Sequence, residues 1–242
     1  MQLHNYSEGI ELSTPIWRYL SLDAALTTIT SSKLRFTRLG AFPDEFEGSE
    51  DLESIQAHRE DVEAFSAQFN QPLMYRDPEV TRILNQKGGY ASCWSLNPPT
   101  DMVMWRSYAQ LLSSLALKST IGKLMNSLLD VPGLSAIGLI KYKPMAGIPS
   151  ANLHFQDKCF EKFDAYKFER EVRLFISLLN EPRRPENLYN FPDHHFELVN
   201  RDYLDGLALH PLMPHDTRVM IKRCLASLAP DLAIEEPLIA AR

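Results

Sequence analysis

Glu169, Glu171 and Arg173 recur at every second position of Phe168–Ile176, with Val172, Leu174 and Ile176 between and after them. Read as a strand, side chains alternate between faces, so the two carboxylates and the guanidinium share one side. Val-Arg-Leu-Phe-Ile has the β-branched and aromatic content of a buried strand. Two like charges this close cost energy unless Arg173 or a ligand offsets them, which points to a cleft where charge is used. The plain alternative is an exposed strand with an ordinary Glu-Arg pair.

Other residues offer chemistry of their own. Arg18 lies between Trp17 and Tyr19 and reads either as a ligand contact or as an edge arginine stacked on aromatics. Ser92 and Ser95 fall on opposite faces of one strand, so at most one of them lines a site directly. Trp105 and Tyr108 are one helical turn apart and read as core or as the wall of a nucleotide pocket. Asp44, Glu45 and Glu47 could join Glu171 around a divalent cation, as in a phosphodiester hydrolase, but no lysine or histidine stands at the spacing such a nuclease needs. His194-His195 and His210/His215 do not form a helical pair on one face, so no metal site is expected. Cys93 reads as a small buried thiol with no base at hand.

These residues need elements to position them. Pro15–Leu20 reads as a strand and Ser21 caps a helix carrying Leu22, Ala25, Leu26 and Ile29. Leu34–Thr37 reads as a second strand. Residues 44–63 hold nine carboxylates and one arginine, a pattern that predicts a solvated helix. Gly88-Gly89 punctuates the chain before the small-residue strand Tyr90–Leu96. Further expectations are a helix from Asp101 to about Leu112, a strand Leu115–Lys118, a helix capped by Ser119-Thr120 and a strand Ile137–Tyr142. Asn152–Tyr166 reads as helical, Phe196–Val199 and Leu207–His210 as late strands. The last helix, about Asp216–Leu228, carries Met220, Cys224 and Leu228 on one stripe beside Ile221 and Leu225. Short strands interleaved irregularly with helices favour α+β over a doubly wound sheet, with residues 1–242 as a single domain of short mixed or antiparallel strands and flanking helices.

Composition sets outer bounds. The chain has 242 residues, 45% hydrophobic and 23% charged, ordinary for a globular protein. A net charge of −6 argues against a nucleic-acid coat protein without excluding an enzyme that acts on nucleic acid. Three cysteines, far apart and odd in number, show no metal spacing. No leader pattern and no membrane-span length is visible, so a reducing cytoplasm and no membrane partner are expected.

Four boxes in order give a resemblance. Trp17-Arg18-Tyr19, Phe42-Pro43-Asp44-Glu45-Phe46-Glu47-Gly48, Met104-Trp105-Arg106-Ser107-Tyr108-Ala109 and Glu169-Arg170-Glu171-Val172-Arg173 resemble those of a large bacterial domain family of unknown function. Leu204–Pro211 followed by a helix fits the same pattern. Pro43 and Glu45 depart from that family's Asn and Pro. More distantly, the order of elements resembles the ADP-ribosyltransferases, in the lineage that uses an Arg strand, a Ser-x-Ser strand and a Glu-x-Glu strand. The resemblance implies NAD as substrate, Glu171 as the essential carboxylate, Glu169 toward the acceptor and Arg18 on the pyrophosphate. Ser92 or Ser95 would shape the cleft, and Tyr19 or Trp105 would face the nicotinamide. The implied activity is ADP-ribosyl transfer or NAD cleavage with an unknown acceptor. The competing readings are a non-catalytic interaction module of a toxin or phage-defence system, with the Glu-Glu-Arg row tied to the Asp44–Glu47 loop, and a metal-dependent nuclease.

Overall fold

The computed structural model describes residues 2–3, 10–44, 47, 56, 59–60, 63–64, 66–68, 78–128, 134–143, 157–179, 190–198 and 201–237. Its strands and helices are β1 (Gln2–Leu3), β2 (Pro15–Leu20), α1 (Leu22–Ser31), β3 (Lys33–Arg38), α2 (Pro78–Gly88), β4 (Gly89–Ser95), α3 (Met102–Tyr108), β5 (Leu115–Thr120), α4 (Ile121–Ser127), β6 (Leu134–Leu139), β7 (Lys141–Lys143), β8 (Glu161–Phe163), β9 (Glu171–Ser177), β10 (His194–Leu198), β11 (Gly206–Leu209), α5 (His215–Leu228) and β12 (Ala233–Glu235). The main sheet runs β1-β6-β9-β4-β2-β5-β11-β12, with β3 on β4 and β10 on β3, while β7 and β8 form a separate parallel pair. Most neighbours are antiparallel, with parallel pairs at the β1–β6 and β11–β12 ends. The α+β expectation holds.

β9 lies inside the sheet, paired to β4 and β6 along its length, and all seven of its residues are buried. Val172, Leu174 and Ile176 enter a core shared with Ile16, Leu34 and Phe36, and that core is closed by Ala25 and Ile29 of α1, Ile121 and Leu124 of α4, and Ile221 and Leu225 of α5. Full burial of each such aliphatic side chain contributes about 1.5–3 kcal/mol. On the opposite face, Trp17 and Tyr19 pack with Met104, Trp105 and Ala116. Farther along that face Phe175 meets Leu39, Ala91 and Phe160.

One edge of β4 serves two strands. Thr37 and Arg38 of β3 pair with Ala91 and Tyr90, whereas β2 touches the same edge only where Trp17 meets Ser95. Between those points the sheet opens. β2 is instead paired over its whole length to β5, so its direction is set from the far side.

Several elements differ from the sequence reading. The helix expected to reach Leu112 stops at Tyr108, leaving Leu111 and Leu112 exposed. The single strand Ile137–Tyr142 divides into β6 and β7. Where a helix through Tyr166 was expected, residues 157–160 and 164–169 are 3₁₀ turns flanking β8. The apolar stripe of α5 is rotated. Ile221 and Leu225 are buried, while Met220, Cys224 and Leu228 are exposed. Most of the acidic 44–63 run, and residues 144–149 and 181–189, lie outside the described residues.

Candidate functional site

The carboxylates are placed by a turn rather than by a longer strand. Glu169 ends a 3₁₀ segment, Arg170 adopts φ 45° and ψ 52°, and the extended chain begins at Glu171. Every carbonyl in the turn is engaged. Asn97 Nδ2 donates to Phe168 O at 2.5 Å, Ser95 Oγ to Glu169 O at 2.6 Å, Leu96 N to Arg170 O at 3.1 Å and Ile140 N to Glu171 O at 3.0 Å. The Glu171 N–H donates to Tyr142 Oη at 2.9 Å. A backbone so fully satisfied holds two adjacent buried carboxylates in fixed directions.

Five charged side chains then meet. Arg173, fully buried, donates Nε and Nη2 to Glu171 at 2.7 and 3.1 Å and clasps Glu47 with Nη1 and Nη2 at 2.8 and 2.9 Å. Its second Nη1 donor reaches Cys159 O at 2.7 Å. Lys162 Nζ stands 2.8 Å from Glu169, 3.5 Å from Glu171 and 3.6 Å from Glu47, with the Tyr166 ring 4.6 Å away. Tyr108, at the end of α3, donates its hydroxyl to Glu169 Oε1.

This environment drives the two carboxylates apart. Burial would raise Glu171, but the Arg173 and Lys162 charges outweigh it and hold the group down at about 2. For Glu169 burial prevails: it is raised, with the Glu171 charge adding to the effect and Lys162 and Tyr108 opposing it. One carboxylate is held ionised and its neighbour is shifted the opposite way. Burial likewise raises the Cys93 thiol, and the Glu171 charge adds to the effect.

The opening between β2 and β3 leads into a cavity of about 230 Å³ lined by Arg18, Tyr19, Ser95, Tyr108, Glu169 and Glu171, among others. Arg18 spans the opening, its Nη2 donating to Arg35 O at 3.0 Å. Its Nη1 is buried with no hydrogen-bond partner among the described residues. Burial lowers its pKa to about 10, leaving it charged at neutral pH. Tyr19 is fixed by its hydroxyl, which donates to Asn97 O and Pro98 O at 3.0 and 2.9 Å.

Two expected residues fall elsewhere. Ser92 faces the apolar core, where it accepts from Trp94 Nε1 at 3.3 Å. That follows from parity, because Ser92 pairs opposite Leu174 while Ser95 pairs opposite Glu171. Trp105 is fully buried behind Tyr19, its ring 4.9 Å away edge-on, and donates to Pro99 O at 2.7 Å. It braces the wall instead of forming it. For the nuclease alternative, both Glu47 oxygens are held by Arg173. Glu45 lies outside the described residues, and among those described no group of three or more His, Cys, Asp or Glu side chains is arranged to hold a metal. His194 and His195 lie on β10 and His210 is buried against Trp105.

Lys162 and Tyr142 carried no sequence signal, because each arrives from a short element with no periodic pattern. Tyr108 was visible only as an aromatic on a helix. Among the described residues no helix is long and apolar enough to cross a membrane. Comparison with protein-family models, curated proteins and solved structures returns no match.

Proposed function

We propose that this cleft cleaves an N-glycosidic bond of a nucleotide, with NAD as the substrate and ADP-ribosyl transfer or NAD hydrolysis as the reaction. The observation that carries the reading is the pair Glu169/Glu171, adjacent in one cavity and pushed to opposite protonation behaviour. Pairs separated in this way divide acid–base work from charge stabilisation. Leaving of nicotinamide breaks the C1′–N bond, the electron pair departs with the ring nitrogen, and positive charge develops on the ribose. Ionised Glu171 is complementary to that charge as it forms. Glu169 accepts the proton of the attacking acceptor or water while its oxygen or nitrogen bonds to C1′. Arg18 turns an unpaired buried donor to the phosphates, and Tyr19 offers a ring beside the nicotinamide. The ordering of an arginine strand, a serine strand and a glutamate strand around an opened sheet supports an ADP-ribosyltransferase-like assignment.

Nicotinamide release from NAD by the purified protein, with Glu169→Gln and Glu171→Gln alongside, tests this. Release in the wild type that falls at least a hundredfold in Glu171→Gln supports it; no release and no NAD binding overturns it. A second reading has its own observation. The Glu47–Arg173–Glu171 chain, each member at most 2% exposed, is what an ionic tie between β9 and the Glu47 loop would look like in a non-catalytic interaction module. In that case Glu171→Gln loses stability and no NAD turnover exists to lose.

A further inference from the structure

Tyr108 sits where the acidic end of the cavity meets solvent. Its residue is 48% exposed, whereas Glu169, to which its hydroxyl donates, is 4% exposed. The helix that carries it starts at a proper cap, with the Asp101 carboxylate accepting from Val103 N at 2.9 Å, and ends at Tyr108 itself. The ring therefore stands on a short, anchored element against the rim of the site. Glu169 has its two oxygens on different partners. Oε2 takes the Lys162 ammonium at 2.8 Å and Oε1 takes the Tyr108 hydroxyl.

We infer that Tyr108 is the positioning residue of this site, holding Glu169 Oε1 through its hydroxyl and setting the pH at which that carboxylate can act as a base. The inference rests on the glycosidic reading of the cleft. Its logic is geometric. The ammonium of Lys162 is shared among Glu169, Glu171 and Glu47, and Glu171 is anchored by Arg173. Tyr108 serves Glu169 alone among the three carboxylates, so it can tune one member of the pair without moving the other. The remaining groups facing Glu169 are the Glu171 charge from β9 and the hydroxyl of Tyr142 from β7, with Cys93 of β4 beyond. The Tyr108 hydroxyl is itself raised, by burial and by the Glu169 charge, so it remains a donor across the working pH range.

A donor hydrogen bond stabilises the ionised carboxylate over the neutral acid. Removing it raises the Glu169 pKa, and the acid limb of the rate profile moves to higher pH. In Tyr108→Phe the ring stays and only the hydroxyl is lost. The expected result is a rate about tenfold lower on the acid limb, converging on wild type at high pH, with KM unchanged. Coincident profiles for Tyr108→Phe and wild type would overturn the inference. Carboxyl titration by ¹³C NMR of Glu169 in both proteins separates this from the activity assignment. If the wild type releases no nicotinamide, the glycosidic reading falls, and an upward-shifted Glu169 titration in Tyr108→Phe still upholds the tuning contact. An unshifted one removes it.

Discussion

Arg173, fully buried, engages all five of its N–H donors: two with Glu171, two with Glu47 and one with Cys159 O. A lysine presents a point charge with three donors and cannot reproduce that fork. Arg173→Lys is therefore expected to lose about 3 kcal/mol, read by equilibrium denaturation, since one broken contact leaves a buried carboxylate uncompensated. The carboxylates make the pH dependence two-sided. Glu171 is depressed in the folded chain, to about 2, so its contribution is present above the unfolded carboxylate value near 4.3 and fades as pH falls toward 2. Glu169 is raised, so the folded state loses stability as pH rises from its unfolded value through its folded one. Stability should therefore pass through a maximum at mildly acidic pH. Glu169→Gln is expected to flatten the decline on the alkaline side while leaving the acid side in place; denaturation midpoints across pH 3 to about 8 would show it. An unchanged alkaline slope would contradict the placement of Glu169.

At the scale of elements, the turn Phe168–Glu171 connects chain geometry to charge geometry. The alternation of Val172, Leu174 and Ile176 marks the face of β9 that joins the main apolar core, because side-chain parity survives any error in where the strand begins. The start was illegible. A period of two continues through Glu169 in the sequence, but Arg170 takes the left-handed region at φ 45°, a conformation disfavoured for any side chain with a Cβ. What holds it there is tertiary: Ser95, Leu96 and Asn97 bind the carbonyls of residues 168–170, and no local propensity encodes those partners. The same holds for α5, where composition identified the helix but not its rotation, since Met220, Cys224 and Leu228 make as plausible a stripe as Ile221 and Leu225. Glu47 was legible as one of several acids in a loop, while its partner, 126 residues away, was recoverable only as an alternative. If Arg170 is strained by the turn, Arg170→Gly should leave the site intact and shift stability upward by up to about 1 kcal/mol. A loss of stability would mean that the arginine side chain itself supports the turn.

For the whole molecule, the decisive feature is the opening of the sheet between β2 and β3 and the single charge that spans it. β2 is held on its far edge by β5 along all six residues and β3 is held by β10 along five, so both arms are fixed without pairing to each other. Among the described residues Arg18 bridges the gap through a hydrogen bond to Arg35 O and its Nη1 has no hydrogen-bond partner, with the Arg35 charge on the next arm adding repulsion. A buried cation with no counter-charge costs stability, and a protein keeps such a group where a ligand supplies the missing anion. Two outcomes follow for Arg18→Met, which preserves much of the stem's packing. If the guanidinium waits for a phosphate, the variant melts at the same temperature as wild type or higher, and the stabilisation conferred by NAD disappears. For wild type that stabilisation is expected to be about 2.7 kcal/mol with ligand at a hundred times Kd. If Arg18 is instead a strut, the variant melts lower and any NAD-dependent shift remains. Thermal denaturation of both proteins with and without NAD separates a cleft built for an anion from a sheet that is merely propped open.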